Sequence, residues 1–200
     1  MKADEAAELL DSGPAGEDRL KKTAAVLIGL LAMALAITGL GAAEAAKEIV
    51  NSNILASNAY AFFQAKTIRQ TVLRVAADDM EIMLLADGTP PEAARTKAGQ
   101  RLDQYRRTIA RYDSEPETGE GRKELLARAQ VLEERCDRAQ RQDPYFDYAE
   151  ALLQIGIVLS SVSIIAGSRA LLAGGAAVGM IAVILTVNGF LLVIDLPFLG

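Results

Sequence analysis

The chain has 200 residues, of which 51% are hydrophobic, and its 21 basic and 26 acidic residues give a formal net charge of −5. The absence of histidine removes the commonest metal ligand and general base, and the one cysteine, Cys136, excludes an intramolecular disulfide. No basic patch stands clear of acidic residues, which argues against a nucleic-acid-binding surface. We therefore expect no catalysis, no cofactor, no metal and no nucleic-acid partner.

Residues 1–23 are predicted to be a mobile acidic tail with a basic flank. Beyond it, apolar residues concentrate in three segments, each near the roughly 20 residues that cross the hydrocarbon core of a bilayer. A soluble core predicts shorter apolar runs broken by polar faces. We therefore expect an all-α membrane protein with transmembrane helices over 24–43, 144–168 and 170–194 and a C-terminal tail over 195–200. The first segment exceeds the apolar core of a signal peptide, which predicts an uncleaved anchor.

Between the first two spans, residues 44–143 are charged and rich in alanine and leucine, a composition typical of helices. No proline interrupts 44–87, so one helix is predicted to leave the membrane there. The Gly-Thr-Pro-Pro segment then ends it, and helices over 92–113 and 120–142 are predicted to return. At 1.5 Å per residue the outgoing helix spans about 66 Å and the two return helices together about 68 Å, which predicts an antiparallel stalk jointed near 114–121.

Two further helix starts are predicted from proline positions. Thr89 is expected to cap the helix that follows it, with Pro90 at the first helical position. Asp143 and Pro144 are expected to begin the second span in the same way.

Apolar residues recur every seven positions along the outgoing helix. The d positions are Ile54, Ala61, Ile68, Val75 and Ile82, and the a positions are Asn51, Asn58, Ala65, Val72 and Asp79. This pattern predicts a coiled-coil-like packing seam, in which the two asparagines would set register or oligomeric state. The alternative is that both asparagines face water or lipid headgroups.

The segment from Asn58 to Gln70, NAYAFFQAKTIRQ, resembles a family of uncharacterised bacterial three-span membrane proteins known only as a domain of unknown function. Its members have a YQAKSIRQ-like segment after the first span, a charged helical middle and two closely spaced C-terminal spans. Here Phe63 stands where tyrosine is usual and Thr67 where serine is usual. The resemblance implies this topology and no activity. Because the asparagines, the aromatic residues and this segment coincide, an interaction site is expected at Asn51, Asn58, Tyr60, Phe62, Phe63, Gln64, Lys66, Arg69 and Gln70.

Small residues at four-residue spacing predict close packing of the membrane helices. The expected packing positions are Gly156, Ser160, Ser163, Gly167, Gly175, Gly179 and Asn188. A hydrogen bond from Asn188 to a serine of the second span would join the last two spans. A conduction path is the alternative for these polar groups, although such paths usually contain ionisable residues.

The basic residues of the short membrane-flanking segments are Arg19, Lys21, Lys22 and Arg169. The predicted topology places all four on one side of the membrane, which the positive-inside rule assigns to the cytoplasm. The N-terminus would then be cytoplasmic and the stalk periplasmic, in a bacterial inner membrane. We interpret the sequence as a structural or accessory membrane protein that self-associates or joins other subunits of a membrane complex. The alternative is a channel or transporter subunit.

Overall fold

The structure is a computed structural model that describes residues 14–85 and 91–194, and the regular structure within these ranges is helical. Four helices follow one another: α1 Pro14–Leu85, α2 Glu92–Asp113, α3 Arg122–Ala166 and α4 Arg169–Leu191. Three of them, α1, α3 and α4, are long and apolar enough to cross a membrane. The predicted all-α class with three potential spans is therefore confirmed.

Helix α1 is continuous over 72 residues, from the first apolar segment into the charged middle of the chain. It begins at Pro14, where the missing N–H group would have no partner within the helix in any case. Residues 14–23, which were predicted to belong to the tail, are part of this helix. Leu20 and Ala24 are buried at one end of the first span, so packing extends the helix beyond the apolar segment. The rest of the predicted tail lies outside the described residues.

Helix α3 passes through Pro144 without ending, so the predicted helix start at that proline is wrong. Proline removes a helical hydrogen bond and crowds the preceding turn. The residues directly after it compensate, because Tyr145, Phe146 and Ala149 are almost completely buried. Their packing requires helical geometry on the C-terminal side of the proline.

The other helix boundaries follow the sequence signals closely. Helix α2 occupies the predicted range, preceded by Pro91, while the predicted cap at Thr89 lies outside the described residues. The connection between α3 and α4 contains Gly167 with a positive φ, and Leu192 in the left-handed region ends α4. The predicted C-terminal tail also lies outside the described ranges.

The helices form two compact units. The three-span unit comprises Met1–Ile49 and Asp137–Gly200, and the charged unit comprises Val50–Cys136.

In the three-span unit, the core contains Leu31 of α1, Leu153 of α3 and Ala182 of α4. Polar groups lie inside as well. The Thr38 and Thr186 hydroxyl oxygens are 2.8 Å apart in a buried hydrogen bond that joins α1 to α4. Hydroxyl groups inside a bundle of this kind find their partners on neighbouring helices or on their own backbone.

The outer surface of the three-span unit is apolar. Large exposed side chains on it include Val26, Leu30, Met33, Leu40, Val158, Ile165, Met180 and Ile184. Exposed aliphatic residues surrounding buried hydroxyl groups reverse the arrangement of a water-soluble protein. This distribution is the one expected when lipid surrounds the helices.

In the charged unit, α2 runs antiparallel to α1. The Arg106 side chain pairs with Glu81, and the Gln70 side chain donates to the carbonyl oxygen of Ile109 at 3.0 Å. Later residues of α2 thus contact earlier residues of α1.

The first part of α3 also runs antiparallel to α1. Arg122 contacts Thr67, and Glu133 contacts Tyr60. These contacts lie closer to the N-terminus of α1 than the contacts of α2 do. The first part of α3 and the helix α2 therefore pack against successive stretches of α1.

Candidate functional site

The segment from Asn58 to Gln70 lies entirely on α1 within the charged unit, and its side chains divide between two faces. One face contacts α2, α3 and the connection between them. The other face is exposed. The two faces therefore differ in burial and in their contacts.

On the inward face, Gln70 and Arg122 form a junction of three helices. Gln70 is only 1% exposed, and its amide donates to Ile109 of α2 while its Oε1 accepts from the Arg122 guanidinium at 2.6 Å. The same guanidinium donates to the Thr67 hydroxyl at 2.9 Å and lies over the Phe63 ring. Every polar atom of the Gln70 side chain has a partner, as burial requires.

Arg122 is a residue that the sequence analysis missed. It is the first residue of α3, and a cation there is unfavourable because the N-terminal end of a helix carries partial positive charge. A basic residue at the start of a predicted helix is therefore the sequence signal that could have identified Arg122. In the structure the contacts with α1, together with an ion pair to Asp113 at 3.5 Å, compensate for this placement.

Lys66 lies one turn from this junction and is paired twice. Its Nζ is 3.8 Å from Glu115 and 3.7 Å from Glu120, and it lies over the Tyr112 ring. The side chain is only 14% exposed, so a lysine without these carboxylates would be costly here. The pairs connect α1 to the chain between α2 and α3.

The connection from Ser114 to Gly121 is closed by Glu124. Its carboxylate accepts from the Ser114 hydroxyl at 2.5 Å and from the Glu115 N–H at 3.1 Å. The hydroxyl bond, more than any other contact, lowers the pKa of Glu124. A side chain at Gly121 would clash with the Ser114 backbone, so the tight closure requires glycine there.

The pKa values of Asp113 and Tyr60 in the charged unit are also shifted. An ion pair with Lys123 at 3.0 Å, where the lysine donates, lowers the pKa of Asp113. The Tyr60 hydroxyl donates to Glu133 at 2.8 Å, and this hydrogen bond raises the pKa of Tyr60 because the carboxylate opposes ionisation of the phenol. These two contacts join α2 to α3 and α1 to α3.

The outward face carries the remaining predicted interaction residues. Asn51, Asn58, Phe62, Gln64 and Arg69 are all exposed. The predicted heptad seam is exposed too, along its whole length: Asn51, Ile54, Asn58, Ala61, Ala65, Ile68, Val72, Val75, Asp79 and Ile82. We call these ten positions the outer stripe. Its five large aliphatic side chains are between 55% and 66% exposed.

Packing within the chain uses a different seam of α1. Its positions, spaced by four and three residues, are buried or half-buried: Ser52, Ala56, Ala59, Phe63, Lys66, Gln70, Leu73 and Ala77. At 100° per residue this inner seam is centred about 150° from the outer stripe. It is less apolar than the outer stripe, which is why hydrophobic periodicity does not identify it.

The predicted packing positions of the spans include several glycines at helix contacts. A methyl group added at Gly175 would lie 2.9 Å from the carbonyl oxygen of Gly156, so the backbones of α3 and α4 touch there. Gly179 adjoins the Leu31 side chain of α1. Gly167, by contrast, is exposed at the C-terminal end of α3.

The polar residues among the predicted packing positions do not form the expected hydrogen bond between the last two spans. Asn188 donates to the carbonyl oxygen of Ile194 at 2.8 Å and accepts from its N–H at 2.9 Å, closing the end of α4 instead of reaching the serines of α3. Ser160 and Ser163 donate to the carbonyl oxygens of Gly156 and Ser160. Each of these hydrogen bonds therefore pairs a side chain with the backbone of a residue that is close to it in sequence.

Within residues 14–85 and 91–194, no group of three or more cysteine, aspartate or glutamate side chains is arranged to hold a metal ion. The contacts of the charged unit join helices to one another. Among the described residues of the charged unit, the outer stripe is an exposed and largely apolar surface on the side of α1 away from its helix contacts.

Fold and site together define a helical protein with three potential membrane spans and a charged helical unit. The chain belongs to the family described as Domain of unknown function (DUF4337), whose model matches residues 20–192. This membership agrees with the resemblance drawn from the segment around Tyr60. The sequence matched none of the curated proteins and none of the solved structures compared with it.

Proposed function

We propose that this chain is a structural or accessory membrane protein, without catalysis of its own, that self-associates through the outer stripe. The charged unit would stand outside the bilayer as a helical stalk, anchored by the three spans. The observation that carries this proposal is the exposed heptad pattern on a helix that already packs through its opposite face. Exposed apolar surface of this extent marks an interaction site.

The area of the stripe suits a dimer. Five aliphatic side chains of the stripe, together with Phe62 and Met83 beside it, are more than half exposed. At roughly 100 Å² each, two copies would bury on the order of 1,400 Å² in total, which is within the range of specific protein interfaces. The stripe together with these two neighbours thus supplies enough apolar surface for association.

A second copy is the partner that the stripe fits best. Two copies anchored in one membrane point the same way, so their seams would pair in parallel with each position opposite itself. Asn58 would then meet its counterpart, and paired asparagines at such a position favour a dimer in one register. Asp79 would also face its counterpart, and this pair would weaken the far end of the seam.

The test is the oligomeric state of the full chain in mild detergent, measured by native mass spectrometry and crosslinking. We expect a dimer for the wild type and a monomer for Ile68→Glu/Val75→Glu, since each charge would be buried in the seam. The control Asn53→Glu/Thr71→Glu adds the same two charges at exposed positions outside the stripe and should remain dimeric. Asp79→Val should strengthen the dimer. A wild-type monomer with no co-purifying partner would refute the proposal.

A further inference from the structure

Helix α2 has an exposed face that is basic. Five positions of this face, spaced by three and four residues, are all exposed: Lys97, Gln100, Gln104, Arg107 and Arg111. We call these five positions the α2 basic face. At 100° per residue its centre lies about 180° from Leu102, the residue that α2 buries. The α2 basic face is therefore the side of the helix directed away from the packing of the charged unit.

The positive charge of this face is not interrupted by an acidic residue. In the sequence Asp103 lies among the cations, but on the helix it is rotated about 80° from the centre of the face. Arg111 has an ion pair with Glu115 at 4.0 Å, and its side chain is still 61% exposed. From Lys97 to Arg111 the face extends about 21 Å, or about four helical turns. The fold thus presents a continuous positive surface that the order of charges along the sequence does not reveal.

These charges favour an acidic partner. Arg107 and Arg111 are four residues apart, and like charges at that spacing destabilise a helix. A negative charge beside them would remove this repulsion. Guanidinium groups suit carboxylates in particular, because each can donate two parallel hydrogen bonds to one carboxylate.

The two glutamines favour a polypeptide over a phosphate polymer. Gln100 and Gln104 lie between the cations, and each side-chain amide has both donors and an acceptor. An ionised phosphate chain offers only acceptors, so the glutamine oxygens would gain no partner from it. Polar side chains of a polypeptide supply donors as well. The spacing by three and four residues is also the spacing at which one helix packs along another.

We propose that the α2 basic face binds an acidic helix of a different protein, with carboxylates recurring at the same spacing by three and four residues. Within the described residues of the charged unit, no helix carries three acidic residues at that spacing, so a second copy of this unit does not supply them. The site goes beyond the proposed self-association, because it requires no residue of the outer stripe.

The test uses the full chain in mild detergent at low ionic strength, with two labelled synthetic helical peptides as probes and fluorescence anisotropy as the readout. Both peptides have the same length, composition and net charge. In the first peptide the glutamates share one face at a spacing of three and four residues, and in the second they are distributed around the helix. The first should bind more tightly, and added salt should weaken its binding. Equal binding of the two peptides, or binding of neither, would overturn the proposal.

Substitutions on α2 test whether this face is the binding site. Lys97→Gln/Arg107→Gln should weaken binding of the first peptide by roughly fourfold, since each exposed ion pair contributes about a factor of two. The control Arg95→Gln/Arg128→Gln removes the same charge at exposed positions outside the face and should change binding much less. Equal weakening by the two double variants would refute the assignment.

Two further measurements distinguish the other partners that a basic surface could bind. Polyphosphate should bind more weakly than the first peptide. Tighter binding of polyphosphate that Lys97→Gln/Arg107→Gln weakens would assign the face to a phosphate polymer and refute the acidic helix. The same variant should keep the oligomeric state of the wild type, and its dissociation would assign the face to a second copy. Because no outer-stripe residue is changed, failure of this proposal is distinguishable from failure to self-associate.

Discussion

At the scale of single residues, the charged unit combines buried apolar side chains such as Leu102, Leu125 and Leu132 with a buried polar contact at Gln70. Gln70 touches both α2 and α3 from the inner seam of α1, and Arg122 satisfies it. Burying an amide is costly when its partners are missing. The Gln70–Arg122 pair therefore fixes which turn of α1 packs against the connection between α2 and α3.

Replacing Arg122 by alanine should lower the free energy of unfolding of the charged unit by about 2 kcal/mol, because the Gln70 carbonyl oxygen loses its partner while remaining buried. Arg122→Lys keeps the charge without the planar fork and should lie between alanine and wild type. Hydrogen exchange of α2 and of the first turns of α3 measures the effect. Arg107→Ala, at an exposed position of α2, is the matched control and should cost less than about 0.5 kcal/mol. Equal effects of the two alanine variants would contradict the assigned role.

At the scale of elements, the connection between α2 and α3 is held by ionised carboxylates. Asp113 and Glu124 have lowered pKa values, the first chiefly through the bond from Lys123 and the second chiefly through the Ser114 hydroxyl. Both groups therefore release protons more readily in the folded chain than in the unfolded chain. Their stabilising contribution is complete above their ordinary values of 3.8 and 4.5, and it is lost as the pH falls through the lowered folded values.

Acidification should accordingly open this connection. We expect hydrogen-exchange protection factors over 114–125 to be constant near neutral pH and to decrease from about pH 4.5 downward. The variant Asp113→Asn/Glu124→Gln should be less protected at neutral pH, and its difference from the wild type should shrink in acid. Glu134→Gln, at an exposed site on α3, should follow the wild type. An undiminished difference between wild type and the double variant in acid would show that these carboxylates are not responsible.

At the scale of the whole molecule, the distribution of basic residues is what bears on orientation. Arg19 and Arg169 line one cavity, so the N-terminal end of the first span and the connection between the last two lie at the same end of the three-span unit. From the positive-inside rule we propose that this end faces the cytoplasm and that the charged unit is periplasmic.

This orientation predicts which positions an impermeant thiol reagent reaches in intact cells. In a Cys136→Ser background, Glu117→Cys should be labelled without permeabilisation, because Glu117 is exposed in the connection between α2 and α3. Lys22→Cys, at the basic end of the first span, should be labelled only after the membrane is opened. The reverse pattern would invert the proposed topology.

The sequence by itself determined the helical class, the three apolar segments and the helix from Glu92 to Asp113, because hydrophobicity, charge and proline or glycine breaks are local properties.

The tertiary structure alone decided which face of α1 packs inside its unit. The most apolar heptad pattern lies outward, while the inner seam includes Lys66 and Gln70, whose burial is possible only because partners on other helices meet them. It also decided that α3 continues through Pro144, since the burial of Phe146 outweighs the local preference of proline. Contacts between distant residues depend on both partners at once, and no local pattern contains that information.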